Sequence, residues 1–517
     1  MKMVKSLILG SAAGLVAMSG AQAADLPVKA KAVEYVRICS LYGAGFFYIP
    51  GTDTCIKLSG YLRVDVVVND NSDYTPPLGN PAGNGNRFTN AYTWRSREDF
   101  DIDTRTATEY GVVRTFFDAT FSWTDDVYTA NGTNPLGTVY SQIGALGVGQ
   151  ANNGSSGLVA AGTVGVYYAF IQFAGFTMGK AISPFSAPGF VNYPGNNFDG
   201  LVGGGGTVTG VNQFIYTAQF GNGVSGTIGV QDPTQYYQAG NLNFGAFGSA
   251  AAFTGTNDIG GTEFPDVVGN ILVTQAWGSA QLSAAAHDNR AAYYINTGLA
   301  SLLGHPDDKW GFAVQGAASI NTPSTGAGDV LNIEGVYTDG ATRYNIQDLA
   351  GGVGAWTSFN NNGSPLGPLG GVGVGFAPDS VFNAFGQQKL IQTWGGRGGF
   401  THNWNPYWNT SIYGAYAHVD YGSVTDAGSA ATIVCASLAN VASITHCDPN
   451  YNIAQAGIIT RWTPVKNLTF SGDFTWEHLD QKYTGALATG GNGMPTGLYT
   501  LTNQDVYTFL FRAQRNW

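Results

Sequence analysis

Residues 163–210 read TVGVYYAFIQFAGFTMGKAISPFSAPGFVNYPGNNFDGLVGGGGTVTG, and this stretch holds both the repeating unit of the fold and its asymmetry. In VGVYYAF, Val164, Val166, Tyr168 and Phe170 fall on one face of an extended strand, because strand side chains alternate with a period of two. Ala174-Gly175 can close a tight hairpin, and Phe176 and Met178 resume the alternation on the return. After Ser183 the alternation stops in a long segment broken by glycine and proline. A short turn at one end and a long loop at the other is the pattern of a transmembrane β-barrel.

Composition agrees. Charged residues are 11% of the 517, against about a quarter in ordinary soluble domains. Glycine is abundant (74 residues), and aromatics, at 13%, are too many for a disordered chain. Mean hydropathy is -0.03, and past the N-terminal segment no apolar run reaches the length of a membrane helix. A barrel reconciles these facts, since only alternate strand residues must be apolar. The formal charge of -11 argues against nucleic acid as a partner.

At the N-terminus Lys2 and Lys5, an apolar Leu7 to Met18 and Ala21-Gln22-Ala23 make a cleavable signal peptide over residues 1–23. Residues 24–54 read as a lead-in with a Cys-flanked loop, and residues 55–517 as the barrel. Four cysteines in an exported chain suggest two disulfides. Cys39 and Cys55 flank the segment before the first strand, and Cys435 and Cys447 share one long loop. Nearest-neighbour pairing is the simplest of three connectivities. A metal site with His446 beside Cys447 lacks a fourth ligand.

Alternation recurs at about residues 55–68, 90–107, 109–123, 161–173, 175–182, 211–221, 223–231 and 266–277. It returns at about 279–287, 309–320, 328–338, 388–402, 407–421, 451–463, 467–479 and 504–517. Sixteen antiparallel strands result, an even number, with tight turns alternating with long polar loops. In DVYTFLFRAQRNW, Tyr507, Phe509, Phe511 and Trp517 share one face while Thr508, Arg512 and Gln514 share the other. This last strand must close against the first, because unpaired backbone cannot face lipid. Arg515 is out of phase but near enough to the end to reach the interface.

The leader, CSLYGAGFFYIPGTDTCIKLSGYLRVDV (Cys39 to Val66), TRTATEYG (Thr104 to Gly111) and YAFIQFAGFTMGKA (Tyr168 to Ala181) together resemble the general porins of alphaproteobacteria. The resemblance implies a sixteen-stranded outer-membrane barrel, usually a homotrimer in lipid, passing small hydrophilic solutes and ions without a cofactor. It also implies a third long loop folded into the lumen, and the third long loop counted here is 183–210. Family constriction loops tend to be acidic, whereas this one carries only Asp199.

Pores select by diameter and lining charge. Strand phase and direction put Arg63, Arg97 and Arg114 in the lumen near mid-height, with Arg397 on the twelfth strand. Arg105 falls near the periplasmic turn, and Asp65, Asp99, Asp101 and Asp103 neighbour the arginines. Facing ranks of opposite charge would set up a transverse field; the bland alternative is wall charges paired to one another. Lys180 shares a face with Phe176 and Met178, which places it at a rim or subunit contact. Two other functions stay open: a substrate-specific channel, with Tyr193 and Phe198 as a sugar track, and a barrel enzyme at the outer rim. The enzyme reading is weak, because the six histidines form no H-E-x-x-H pair and there is no G-x-S-x-G elbow. His478, next to Glu477 and near Asp480, reads as a rim histidine.

Overall fold

A computed structural model describes residues 37–69, 92–124, 163–190, 201–205, 209–234, 236–245, 256–295, 302–346, 355–359, 371–439, 443–491 and 494–517. The expected signal peptide, Asp199, Tyr193 and Phe198 lie outside these residues.

The alternating segments form one closed antiparallel wall. Its first half is β1 (Thr54–Asn69), β2 (Tyr92–Thr108), β3 (Gly111–Thr124), β4 (Thr163–Phe173), β5 (Phe176–Ala181), β6 (Val211–Gly221), β7 (Val224–Gln231) and β8 (Asp266–Gln275). The second half is β9 (Gly278–Asn289), β10 (Lys309–Asn321), β11 (Val330–Asp339), β12 (Gln392–Asn405), β13 (Trp408–Asp420), β14 (Tyr451–Val465), β15 (Leu468–Gln481) and β16 (Gln504–Asn516). Each strand pairs with its sequence neighbour, and β16 closes on β1 from Tyr61↔Asn516 to Asn69↔Thr508. Closure leaves no sheet edge for lipid to meet. All sixteen expected strands are present.

The tight turns show why these residues join strands. Ala174 (φ 49°) with Gly175 (φ 88°), and Asn222 (φ 53°) with Gly223 (φ 73°), place two consecutive residues in the left-handed region that matches strand twist. Ala174 carries a Cβ there, which asparagine tolerates better. Ala174→Asn is therefore expected to stabilise the refolded barrel by about 1 kcal/mol, read as a higher urea midpoint. An unchanged or lower midpoint would count against this account of the turn.

The turn between β10 and β11 is longer and is pinned by Asp329. Its Oδ1 accepts the Asn403 amide at 2.8 Å, and its Oδ2 meets His402 Nδ1 at 2.6 Å and the Thr325 hydroxyl at 2.9 Å. Burial alone would raise the carboxyl's pKa, but the Asn403 amide, His402 and Thr325 together hold it at about 2. A depressed carboxylate pKa adds stability above the unfolded value near 4, and that stability is lost as pH falls toward about 2. Asp329→Asn should flatten the acid-unfolding profile in that window, which pH-jump fluorescence would measure.

Strand phase departs from the simple reading at one place. A β-bulge sets Asp118↔Tyr168 beside Ala119↔Val166, so Tyr167 has no register partner on β3. The extra residue shifts the phase. Val164 and Val166 remain on the lipid face, whereas Tyr168 and Phe170 line a lumen cavity with Arg114. The four residues expected on one face are split between the two. Beyond the bulge Phe176, Met178 and Lys180 face outward, as read. β5 has only six residues, and where it ends Lys180 Nζ donates to the Val166 carbonyl at 2.8 Å. Arg515 likewise faces outward and donates to the Lys466 carbonyl.

The lumen is not empty. Phe185 of the third loop (182–210), Tyr237 of the fourth (232–265) and Tyr344 of the sixth (340–391) are buried together, with Tyr344's ring 4.6 Å from Phe185 and 4.3 Å from Tyr237. The seventh loop (421–450) adds α1 (Ala430–Leu438), the one α-helix among the described residues. Ser429 caps it through the Thr432 amide, and Ala431, Val434 and Leu438 pack with Ile391 and Tyr451 in the largest apolar cluster. The loops thus fill the side of the barrel bounded by β8 to β15.

Candidate functional site

The third loop enters the lumen directly after β5 and crosses it. At its root Ser183 Oγ donates to Gln231 Oε1 at 2.6 Å, and Asn270 Nδ2 donates to the Pro184 carbonyl at 2.6 Å. Gln315 Nε2 donates to the Phe185 carbonyl while its Oε1 accepts the Gly205 amide, both at 2.9 Å. Farther on, the Val202 amide donates to Gln455 Oε1 at 2.9 Å and the Gly203 amide to Asn345 Oδ1 at 3.0 Å. These partners are side-chain amides, four on the wall and Asn345 in the sixth loop, groups that bind without adding charge. The described part of the loop thus spans from β5 to β14, and the expected in-folding is present.

Opposite the loops, on β1 to β4 and β16, the wall carries charge. Arg63 and Arg97 are register partners and half-buried. Arg63 Nε donates to Gln514 Oε1 at 2.9 Å, and Arg97 donates to the Ser122 hydroxyl at 2.8 Å and the Tyr167 hydroxyl at 2.7 Å. Arg114 is not at mid-height. Its register partner is Arg105, and both belong near the periplasmic turn, because β3 begins only three residues earlier, at Gly111. The two arginines share Asp103, with Arg105 Nη2 at 2.9 Å and Arg114 Nη2 at 3.0 Å.

The acids do not face the arginines across the pore. Asp65 is fully buried between Arg95 (2.8 Å) and Arg512 (2.7 Å), within the same wall. Asp99, Asp101 and Asp118 lie in that wall too, with ligand oxygens within 4.8 Å of one another, and Ser59 Oγ donates to Asp101 at 3.2 Å. On this wall the acids and arginines therefore lie side by side. Arg397 departs from expectation as well. It is buried against Glu334 at 3.3 Å, lies 5.4 Å from the Phe190 ring and donates to the Leu201 carbonyl at 3.4 Å. It anchors the loop instead of lining open lumen.

Both nearest-neighbour disulfides form, Cys39–Cys55 and Cys435–Cys447, with Cα separations of 6.0 and 5.7 Å. The first folds residues 39–55 against the periplasmic mouth, where Arg105 lies 4.9 Å from the Phe46 ring. The second staples α1 to the strand segment at Ile444–His446. Glu477 and His478 do not converge: Glu477 is buried facing inward, while His478 meets Asp505 at 2.9 Å on the outer face.

Glu334, Arg95, Asp118 and the glutamines at 281, 315 and 455 are not singled out by the sequence alone. All share the lumen phase of their strands, and that phase was the available signal. Which of them would meet a loop depended on how the loops fold.

The same architecture occurs in the outer membrane channel DcaP of Acinetobacter baumannii, with a TM-score of 0.56 at 12% identity over 91% of this chain and 99% of that one. Porin Omp2b of Brucella canis is 35% identical over 289 residues, and Porin Omp2b of Brucella suis 36% over 281. Each alignment covers 53% of this chain, which thus spans 64% of the length of these relatives. Fold and family together place the protein in the bacterial outer membrane. Residues 25–509 match the family model described as the Porin subfamily, and to that family this chain belongs.

Proposed function

We propose that the protein forms a water-filled channel through which small hydrophilic solutes and ions diffuse down their gradients. One observation carries this reading: the described loop residues cover the lumen face of β8 to β15, while the charged face of β1 to β4 is half-exposed. There Arg63, Arg97, Asp101 and Arg114 are only partly buried, whereas Arg397, Glu334 and Gln455 beneath the loops are buried. Ions crossing the barrel meet arginine, aspartate and hydroxyl groups in place of apolar surface. The family and the closed barrel favour a channel over an enzyme, and the assembly proposed with it is a homotrimer.

Conductance of refolded protein in a planar bilayer tests this. Ohmic steps closing in thirds are the expected result, and correctly folded protein without conductance would overturn it. Within the same reading, Arg63 and Arg97 set ionic preference. Reversing both to glutamate should move the reversal potential in a salt gradient toward cations, and an unmoved potential would remove them from that role.

A further inference from the structure

Below the root of the third loop, on the periplasmic side, lies a cavity of about 410 Å³, a size suited to one small organic molecule. Its lining is unusual for the inside of a water-filled barrel. Phe116, Tyr168 and Phe170 present their rings to it, with Phe116 5.5 Å from Phe170 and 6.1 Å from Tyr168. Ile182 and Pro184 of the loop root add further apolar surface. Aromatic rings turned toward water cost free energy that the lipid face would have spared. The bulge at Tyr167 is what turns two of them inward.

Arg114 stands at the edge of this surface, its guanidinium carbon 5.1 Å from the Phe116 ring and 5.4 Å from the Phe170 ring. Nε and Nη2 hold Asp103, and Nη1 donates to Gln172 at 3.0 Å. A guanidinium has five N–H groups, so one on each Nη remains without a partner among the described residues. Arg105 and Arg114 share the single carboxylate of Asp103, so this trio has a positive charge to spare.

We propose that this cavity is a binding station for aromatic carboxylates, the ring lying against Phe116, Tyr168 and Phe170 and the carboxylate accepting the spare N–H groups of Arg114. The chemistry asks for both halves. A simple anion such as acetate gains only the charge, and an uncharged aromatic only the ring contacts. The proposal rests on the channel reading, to which it adds a class of solute.

Benzoate and acetate, at equal concentration and ionic strength, are added to single channels carrying potassium chloride. Benzoate should interrupt the current at a frequency proportional to its concentration, with acetate at least tenfold less effective. Arg114→Gln and Phe170→Val should each reduce benzoate interruptions about tenfold, and Phe170→Val should leave the chloride conductance within twofold. Asp103 keeps Arg105 in the first variant, so the fold has no buried orphan to expel. Equal effects of benzoate and acetate, or interruptions unchanged in both variants, would overturn the station. A chain that conducts no chloride at all would count against the channel reading instead. Saturation-transfer NMR of benzoate with detergent-solubilised protein then decides the station, with transfer that both variants lose supporting it and no transfer overturning it.

Discussion

Replacing Asp65 with alanine is expected to destabilise the barrel by about 3–5 kcal/mol, the cost of removing one partner from a buried charge group. The carboxylate is fully buried, and Arg95 on β2 and Arg512 on β16 both converge on it. It sits on β1, the strand that joins the beginning of the wall to its end. Loss of Asp65 leaves two guanidiniums without that counter-charge at the seam. The urea midpoint of refolded Asp65→Ala should drop sharply. Combined with Arg512→Ala, the loss should be smaller than the sum of the two single losses, since the residues share one network. Additive losses would mean that the pair does not couple.

Arg397→Ala should have an effect of similar size, again about 3–5 kcal/mol, because Glu334 would be left buried without its cation. The consequence differs in kind. Arg397 also donates to the Leu201 carbonyl and lies over Phe190, so its removal loosens the third loop as well as the wall. Open-channel current noise should rise along with the loss of stability. Replacing both partners by apolar residues, Glu334→Leu with Arg397→Met, should recover much of the stability. If the double variant is no more stable than Arg397→Ala alone, the unpaired Glu334 is not the source of the loss.

The wall was legible in the sequence because membrane strands must alternate and outer loops need not. The departures at Tyr168 and at Arg114 have physical causes. In VGVYYAF the adjacent Tyr167 and Tyr168 suit either face, since a tyrosine is both apolar and hydrogen-bonding, so nothing local marked the bulge. Sequence alone sets Arg114 too high because strand phase fixes the side of the wall, whereas depth depends on where the preceding turn falls, here at Gly111. The disulfides and the in-folded loop followed from spacing and resemblance. What stayed hidden was the interior packing: Phe185, Tyr237 and Tyr344 lie in irregular loops far apart in sequence. No periodicity links them, and only the folded chain shows them stacked.

The crossing of the third loop also constrains how this lineage can drift. Any side chain at Gly204 would strike Glu334, its first carbon coming within 1.7 Å of Oε1, and one at Gly203 would meet Gly396 backbone at 2.4 Å. Descendants are expected to keep these glycines while the half-exposed arginine-bearing side varies, so selection can retune permeation without rebuilding the loop's seat. An alignment of close homologues would display that division as two rates of substitution on the two sides of one pore.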